Sequence, residues 1–226
     1  MKVVSFSLWG SDDKYLSGTL ANLELVAEYY PGWVCRCYCG DDVPEEWRQK
    51  LADAGFQVMV RHTNAFTGLF WRFEAVFDPE VELFICRDSD SRVNPREAAA
   101  VEEWLRSGKP FHSMRDHYEH TVPIMGGMWG SYAWPDFKKL LQAWPLSGRM
   151  GDDQDFLTQR VWPLVRNNSI SHDRYCEDTT VDTPTGPFAY KPITFYGEHD
   201  VRPFPQHAPL DIAVHGNHVG ARVTPK

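Results

Sequence analysis

The sequence predicts an α/β fold in which helices flank a mixed, mainly parallel central sheet, as a single domain over residues 1–226. Two observations support this prediction. Short apolar runs alternate with segments of helical periodicity through the first half of the chain, which is typical of parallel α/β folds. Hydrophobic residues make up 42% of the 226 residues, which is enough for a sizeable core.

The first half of the chain provides four strand segments, rich in β-branched and aromatic residues: 2–9, 33–39, 56–60 and 81–86. Helical periodicity predicts four helices: 15–30, about 45–54, 69–77 and 96–106. The last helix has the strongest start signal, because Asn94 can cap it and Pro95 suits its first position. Three strand-helix repeats therefore precede the strand that ends near Asp88.

The second half of the chain is less regular. Strands are predicted for residues 111–115 and 123–129, and helices for residues 135–144 and from Asp152 onward. After Asn167 the chain is rich in Pro, Gly, His and Asp, which predicts irregular segments with short strands.

Composition excludes several classes of function. A net charge of -8 without a basic stripe argues against a nucleic-acid partner. No apolar run approaches the length of a membrane span, and Met1 leads directly into a strand without a signal-peptide pattern, so we expect a soluble, cytoplasmic protein. Cys35, Cys37 and Cys39 alternate on one face of a strand, and burial is favoured over a zinc site because their spacing does not let a turn wrap a metal.

A pair of aspartates follows the fourth strand, in the segment Arg87-Asp88-Ser89-Asp90-Ser91-Arg92. Ligands of open α/β sheets bind at the carboxyl ends of strands. On an extended backbone Asp88 and Asp90 would point the same way and Ser89 the opposite way. Two carboxylates suit Mg²⁺ or Mn²⁺, which fill their remaining positions with phosphates and water. The alternative is a solvated turn whose acids pair with the flanking arginines.

The order of several motifs resembles GT-A-type nucleotide-sugar glycosyltransferases, in particular small bacterial and chlorella-virus domains. These motifs span roughly the first 160 residues: Phe70-Trp71-Arg72-Phe73, the segment 87–92, Arg96-Glu97, Met114-Arg115-Asp116-His117, Met125-Gly126-Gly127-Met128-Trp129-Gly130 and Asp153-Gln154-Asp155. The resemblance implies a Rossmann-like GT-A fold, with a nucleotide-binding half over about 1–110 and an acceptor-binding half over about 111–226. It implies transfer of a sugar from a nucleotide-diphosphate sugar, with a UDP-sugar favoured, to a hydroxyl of a glycan or other acceptor.

The resemblance also implies a metal and a donor site. Asp90 and Asp88 would hold Mn²⁺ or Mg²⁺ against the donor diphosphate, with His215, or alternatively His218, as a late ligand. The candidates for contacts with the donor are Ser7, Trp9, Asp41, Arg72, Arg87, Asp88 and Ser89. Trp9 would stack on a base, and the arginines would bind phosphate or a sugar hydroxyl. A core tryptophan, a helix-cap acid and arginine–aspartate pairs are the structural alternatives.

The acceptor half supplies the remaining candidates. His117, Gly127, Trp129 and Asp155 are expected to contact acceptor or donor sugar, with Trp129 as an apolar platform. An inverting enzyme needs a carboxylate base near the attacking hydroxyl, and the family pattern implies Asp153, with Asp152 beside it as a second candidate or helix cap. Inverting and retaining outcomes both stay open.

Two other classes of function remain alternatives. A metal-dependent phosphohydrolase would also use paired aspartates and a histidine. A non-catalytic carbohydrate-binding domain would account for the many tryptophans and tyrosines, although it would not need three strand-helix repeats that lead to Asp88 and Asp90.

Overall fold

The computed structural model describes residues 1–63, 67–206, 210 and 212–223. Its strands are β1 (Lys2–Leu8), β2 (Val34–Gly40), β3 (Gln57–Arg61), β4 (Leu83–Arg87), β5 (Phe111–Arg115), β6 (Trp129–Tyr132), β7 (Ser169–Asp173), β8 (Thr180–Thr183), β9 (Gly186–Ala189) and β10 (Val201–Arg202). Eight of them form a central sheet in the order β10-β7-β5-β6-β4-β1-β2-β3, and β8 pairs with β9 in a separate hairpin. Strand β6 runs antiparallel to its neighbours β4 and β5, whereas the other pairs in this sheet are parallel.

The helices connect these strands. They are α1 (Asp13–Tyr29), α2 (Glu45–Ala54), α3 (Gly68–Trp71), α4 (Pro95–Ser107), α5 (Phe137–Gln142), α6 (Asp152–Phe156), α7 (Trp162–Val165) and α8 (Ile212–His215). Short 3₁₀ helices cover Arg72–Phe77 and Ile193–Tyr196, and a π-helical turn covers Leu157–Val161. None of the described helices has the length and apolar character needed to cross a membrane.

Most predicted elements are confirmed within a few residues. The Asn94 side chain accepts a hydrogen bond from the Glu97 amide at 2.9 Å, so it caps α4 as predicted. The predicted strand over residues 123–129 is wrong, because Met128 N–H bonds to the Met125 carbonyl in a turn and β6 begins only at Trp129. The predicted helix over residues 69–77 is one α-helical turn followed by the 3₁₀ helix.

Side chains pack on both faces of the central sheet. One face is dominated by aromatic rings, among them Phe73, Trp129 and Phe156. The other face holds Cys35, Cys37 and Cys39 in a single cluster with residues from α1, α2 and α4, which confirms that these cysteines are buried on one side of β2. Burial without hydrogen-bonding demands suits a cysteine as a small hydrophobic residue.

The sheet places several loops at one edge. The parallel strands β1, β4 and β5 end there, so Trp9, Asp88 and Asp116 follow them at neighbouring positions. Strand β6 begins at the same edge because it is antiparallel, which brings the turn at Gly126 and Gly127 beside Asp88. Crevices at the carboxyl ends of strands are the usual ligand sites of such sheets.

Candidate active site

Arg72 is the centre of the site. Its guanidinium donates to the Asp88 carboxylate through Nη1 and to Asp153 Oδ2 through Nη2, the latter at 2.9 Å. The backbone of Arg72 is tied to β1, since its N–H donates to Ser7 Oγ at 2.9 Å and its carbonyl accepts from Ser5 Oγ at 2.7 Å. Burial alone would lower the pKa of Arg72, but Asp88 and Asp153 raise it above its ordinary value. Arg72 is therefore a fixed cation between two carboxylates.

The Gly126-Gly127 turn lies directly against this arrangement. A Cβ atom at Gly126 would lie 2.3 Å from Asp153 Oδ2 and 2.7 Å from Arg72 Nη2. At Gly127 a Cβ atom would lie 2.1 Å from Asp88 Oδ2. Neither glycine has a positive φ, so the backbone conformation does not require glycine; the close approach to the charged side chains does.

Asp88, Ser89 and Asp90 lie in a turn rather than on the extended backbone that the alternation argument assumed, because Ser91 N–H bonds to the Asp88 carbonyl at 3.3 Å. The Ser89 hydroxyl donates to the Ser7 carbonyl at 2.6 Å and joins the turn to the end of β1. Asp88, Ser89 and Asp90 nevertheless line one cavity. The turn thus presents both carboxylates to the same space.

Two cations from distant parts of the chain contact Asp90. Lys14 Nζ, in the first turn of α1, lies 3.4 Å from Asp90 Oδ2, and Arg222 Nε lies 3.3 Å from the same oxygen. The Val223 amide also donates to the Asp90 carbonyl at 2.8 Å. We call residues 216–223 the C-terminal arm. It is held at a second point, where the Val219 amide donates to the buried Asp116 carboxylate at 2.8 Å.

Two cavities meet at Arg72 and Asp88. The first has a volume of about 160 Å³ and is lined by Ser7, Trp9, Tyr15 and Asp90 among others. The second is larger, about 530 Å³. It is lined by the turn of residues 125–128, by the C-terminal arm, and by polar side chains: His117, His120, Gln154 and His218. A molecule bound across Arg72 and Asp88 would therefore have room on both sides.

The three aspartates at the start of α6 have different partners. Asp152 is buried and accepts from Trp144 Nε1 at 3.0 Å and from the Ser147 amide at 2.8 Å, which fixes the preceding loop. Burial raises the pKa of Asp153, and Arg72 opposes that rise. Asp155 pairs with Arg149. Gln154 is the residue of α6 that lines the larger cavity. Asp153, which was expected to act as the catalytic base, bonds to Arg72 instead.

Several predicted residues lie away from the cavities. Arg87 is buried on the other side of β4, where Nε donates to Glu97 Oε1 at 2.7 Å. Trp129 is fully buried in the aromatic core, so it does not form a platform for a ligand. Arg87 and Trp129 lie away from the cavities because of the direction in which each side chain leaves its strand. The neighbouring residues in the sequence do not indicate that direction.

Asp41 and His215 are also placed elsewhere. Asp41 accepts from the Thr63 amide at 2.8 Å and contacts His62 Nδ1 at 2.7 Å. The hydrogen bond from Thr63 is the larger cause, and His62 the next, of a pKa of Asp41 that is lowered to about 2. His215 Nε2 lies 3.4 Å from the Tyr29 hydroxyl, at the opposite end of α1 from Lys14. The structure therefore does not bring His215 to the aspartate pair. Of the two late histidines, His218 shares a cavity with Asp88.

The aspartate pair fits the donor set of a hard divalent cation. Asp88 and Asp90 line one cavity, and Mg²⁺ is commonly bound by one or two carboxylates together with phosphate oxygens and water. Among residues 1–63, 67–206, 210 and 212–223, no group of three or more His, Cys, Asp or Glu side chains is arranged to hold a metal ion. A cation at this position would complete its coordination with phosphate oxygens and water.

Sequence reasoning missed the cations around Asp90 and the cavity-facing Gln154. Lys14 and Arg222 are separated from Asp90 by 76 and 132 positions, so no local motif connects them. Tyr15 and Met150 of the smaller cavity were missed for the same reason. Only the tertiary structure brings these segments together.

No model of a known protein family matches this chain, and no curated protein matches it in sequence. Solved structures do match. The glycosyltransferase GlyE of Streptococcus pneumoniae TIGR4 aligns over 75% of this chain and 44% of its own, with 14% identity and a TM-score of 0.51. TarS of S. aureus, residues 1–349, aligns over 69% of this chain and 54% of its own, with 14% identity and a TM-score of 0.51.

A third match is the CMP:2-keto-3-deoxy-manno-octonic acid synthetase in complex with CTP. It aligns over 82% of this chain and 93% of its own, with 13% identity and a TM-score of 0.51. At such low sequence identities, these structural alignments show a shared fold and nothing more specific. The chain has the GT-A-like fold of nucleotide-sugar transferases, with a mixed central sheet flanked by helices, as the sequence predicted.

Proposed function

We propose that this protein is a glycosyltransferase that moves a sugar from a nucleotide-diphosphate sugar to an acceptor hydroxyl, with Asp88 and Asp90 holding Mn²⁺ or Mg²⁺ and a UDP-sugar as the favoured donor. The observation that carries the proposal is the meeting of two cavities at Arg72 and Asp88. A transferase must hold donor and acceptor together, with the acceptor hydroxyl beside the anomeric carbon that loses the nucleotide diphosphate, and two adjoining cavities provide room for both.

The smaller cavity is proposed to hold the donor nucleotide. Trp9 and Tyr15 offer aromatic faces to a base, and Ser7 lines the cavity at the end of β1, where it holds Arg72 and Ser89 in place. Lys14, Arg72 and Arg222 provide positive charge around the two carboxylates, where the diphosphate would lie. A divalent cation bound there would offset the negative charge of the departing diphosphate.

Arg72 and Asp153 are proposed to act together. A guanidinium can donate to two phosphate oxygens, and Arg72 is already oriented by its backbone bonds to β1. Asp153 is only 2% exposed and bonds to Arg72, so we assign it to positioning Arg72 rather than to removal of the acceptor proton. The acceptor is proposed to enter the larger cavity, beside Gly127 and Gln154.

Calorimetric titration of the full chain with UDP, GDP and CDP, each with and without Mn²⁺, tests the donor proposal. We expect UDP to bind at least tenfold more tightly with Mn²⁺, and we expect Asp90→Ala to remove this difference. Asp136→Ala is the matched control, because Asp136 is an exposed aspartate outside both cavities. Absence of metal-dependent nucleotide binding in the unaltered protein would contradict the proposal.

Product analysis separates transfer from the other reactions. Incubation with UDP-sugars and Mn²⁺ should release UDP, faster when a sugar acceptor is present. Release of phosphate from simple phosphate esters would instead indicate a phosphohydrolase. Formation of a nucleotide sugar and pyrophosphate from a nucleoside triphosphate and a sugar or sugar phosphate would indicate nucleotidyl transfer, and sugar binding with no turnover would indicate a carbohydrate-binding domain.

A further inference from the structure

Three histidines from two segments of the chain meet in the larger cavity. The rings of His117 and His218 stack with their centroids 4.2 Å apart and their planes at 24°. The ring of His120 lies 5.4 Å from His218 and 5.8 Å from His117. We call these residues the histidine cluster. It lines the same cavity as Arg72 and Asp88, and the C-terminal arm supplies one of its members.

Hydrogen-bond partners assign the proton on each ring. His120 Nδ1 accepts from the Asp116 amide at 3.0 Å, and His117 Nδ1 accepts from the Glu119 amide at 3.3 Å, so both rings carry their proton on Nε2. His218 Nδ1 lies 2.7 Å from Asn217 Oδ1, which can only accept, so His218 carries its proton on Nδ1. In the neutral form of His218, the lone pair is therefore on Nε2.

The surroundings keep these rings neutral. Burial, followed by the nearby His218, His117 and Arg115, lowers the pKa of His120 to about 3. Burial, followed by His117 and Arg174, lowers the pKa of His218 to about 4. Burial is also the main cause of the lowered pKa of His117, although Glu119 acts in the opposite direction. At neutral pH the cluster offers two N–H donors and one nitrogen acceptor.

This mixture of donors and acceptor distinguishes between ligand classes. A hydroxyl group donates and accepts, so it can satisfy both kinds of ring nitrogen. An ionised carboxylate or phosphate only accepts, so it leaves the lone pair of His218 without a donor. The two cations that line this cavity, Arg72 and Arg222, are already paired with aspartates. The stacked pair of His117 and His218 adds a flat ring face, which suits the apolar face of a sugar ring.

We propose that the histidine cluster is an acceptor subsite that selects an uncharged sugar over sugars that carry a carboxylate or phosphate. His117, His120 and His218 determine this specificity by their arrangement of two donors and one acceptor around the cavity. The inference rests on the proposed function, because it takes the smaller cavity on the other side of Arg72 as the donor site.

Histidine NMR tests the proposal without requiring turnover. Long-range ¹H–¹⁵N spectra of the full chain, labelled with ¹⁵N-histidine, should show Nε2–H on His117 and His120 and Nδ1–H on His218 at pH 7. Methyl glucoside and methyl galactoside, added in the presence of UDP and Mn²⁺, should shift these resonances. Glucuronate and glucose 6-phosphate should bind at least tenfold more weakly at the cluster. Tighter binding of the charged sugars, or no shift with any of the four, would overturn the proposal.

Variants identify the atoms that select the ligand. His218→Phe keeps a ring for stacking but removes the nitrogen acceptor, so preference for uncharged over charged sugars should fall at least tenfold. His117→Ala removes a donor and half of the stack, so the Kd for methyl glucoside should rise at least tenfold. His199→Ala is the control, because His199 is exposed and lies outside the cavity. Retained preference in His218→Phe would refute the role of its lone pair.

UDP titration of the same samples separates the two proposals. If the unaltered protein does not bind UDP with Mn²⁺, the proposed function fails. If UDP binds with Mn²⁺ but the sugars show no preference at the histidines, only the acceptor subsite fails. Loss of UDP binding in His117→Ala or His218→Phe would assign the cluster to the donor site and would also contradict the subsite.

Discussion

Replacement of Gly127 by alanine should separate activity from stability. The new Cβ would lie 2.1 Å from Asp88 Oδ2 and 2.4 Å from Asp88 Cγ, whereas ordinary contacts begin at about 3.4 Å. The carboxylate must therefore move by about 1.3 Å. The Asp88 side chain is 41% exposed, so it has room to move, but it would leave its present contact with Arg72. The substitution displaces one proposed metal ligand without altering its chemistry.

The magnitudes differ for the two properties. A misplacement of about 1 Å at a reacting centre costs on the order of 100-fold in rate, so kcat/KM for sugar transfer should fall by about that factor. A partly exposed ion pair contributes only about 0–1 kcal/mol, and alanine also restricts the unfolded chain relative to glycine. The free energy of unfolding of Gly127→Ala should therefore stay within about 1 kcal/mol of the original value.

Gly126→Ala is the matched comparison. Its Cβ would lie 2.3 Å from Asp153 Oδ2 and 2.7 Å from Arg72 Nη2, and both of these side chains are buried. Disruption of a buried ion pair costs about 3–5 kcal/mol, so this variant should lose both stability and activity. Urea unfolding and UDP-release kinetics measure the two effects. The reasoning is refuted if Gly127→Ala keeps kcat/KM within twofold, or if the two variants are equally destabilised.

Two further predictions concern buried charge and pH. Arg87→Met leaves Glu97 buried without its cation, so the free energy of unfolding, measured with urea, should fall by about 3–5 kcal/mol. A second change, Glu97→Leu, should restore most of that loss. Equal stability of the single and double variants would contradict this prediction. The pKa of His120 is lowered to about 3 in the folded protein, whereas an unfolded histidine has a pKa of about 6.5. As pH falls below about 6.5, His120 therefore gains a proton in the unfolded chain but not in the folded protein. The free energy of unfolding should therefore fall as the pH is lowered from 6.5 to 5. His120→Asn should reduce the slope of unfolding free energy against pH by up to about 1.4 kcal/mol per pH unit. An unchanged slope would show that His120 does not titrate as described.

The elements of the first half of the chain were predictable because their periodicity reflects which face is buried. Strands β1, β2 and β4 are buried on both faces, as expected for inner strands of a parallel sheet, and Asn94 with Pro95 marks the start of α4. Strand β6 was misplaced because Ile124 and Met128 continue its apolar pattern into the turn. Hydrophobicity alone does not distinguish a buried turn from a strand.

The site was predictable only where its residues are neighbours in sequence. Asp88 and Asp90 belong to one short segment, and the structure places both in one cavity with Arg72. The direction of Arg87 was not predictable, because a strand residue faces one side or the other according to register, and register depends on the whole sheet. The partners of Asp90 were not predictable either, since α1 and the C-terminal arm reach it only through tertiary packing.

The charges at the junction of the two cavities explain why donor and cation should bind together. Asp88, Asp90 and Asp153 carry three negative charges, and Lys14, Arg72 and Arg222 carry three positive charges. If a divalent cation bound alone, the carboxylates of Asp88 and Asp90 would turn to it and the arginines would lose their present partners. If a diphosphate bound alone, its negative charges would lie close to those carboxylates and be repelled by them. A diphosphate and a divalent cation that arrive together let phosphate oxygens replace Asp88 and Asp90 as partners of the arginines. Because such coupling is reciprocal, the factor by which the cation strengthens nucleotide binding must equal the factor by which the nucleotide strengthens cation binding.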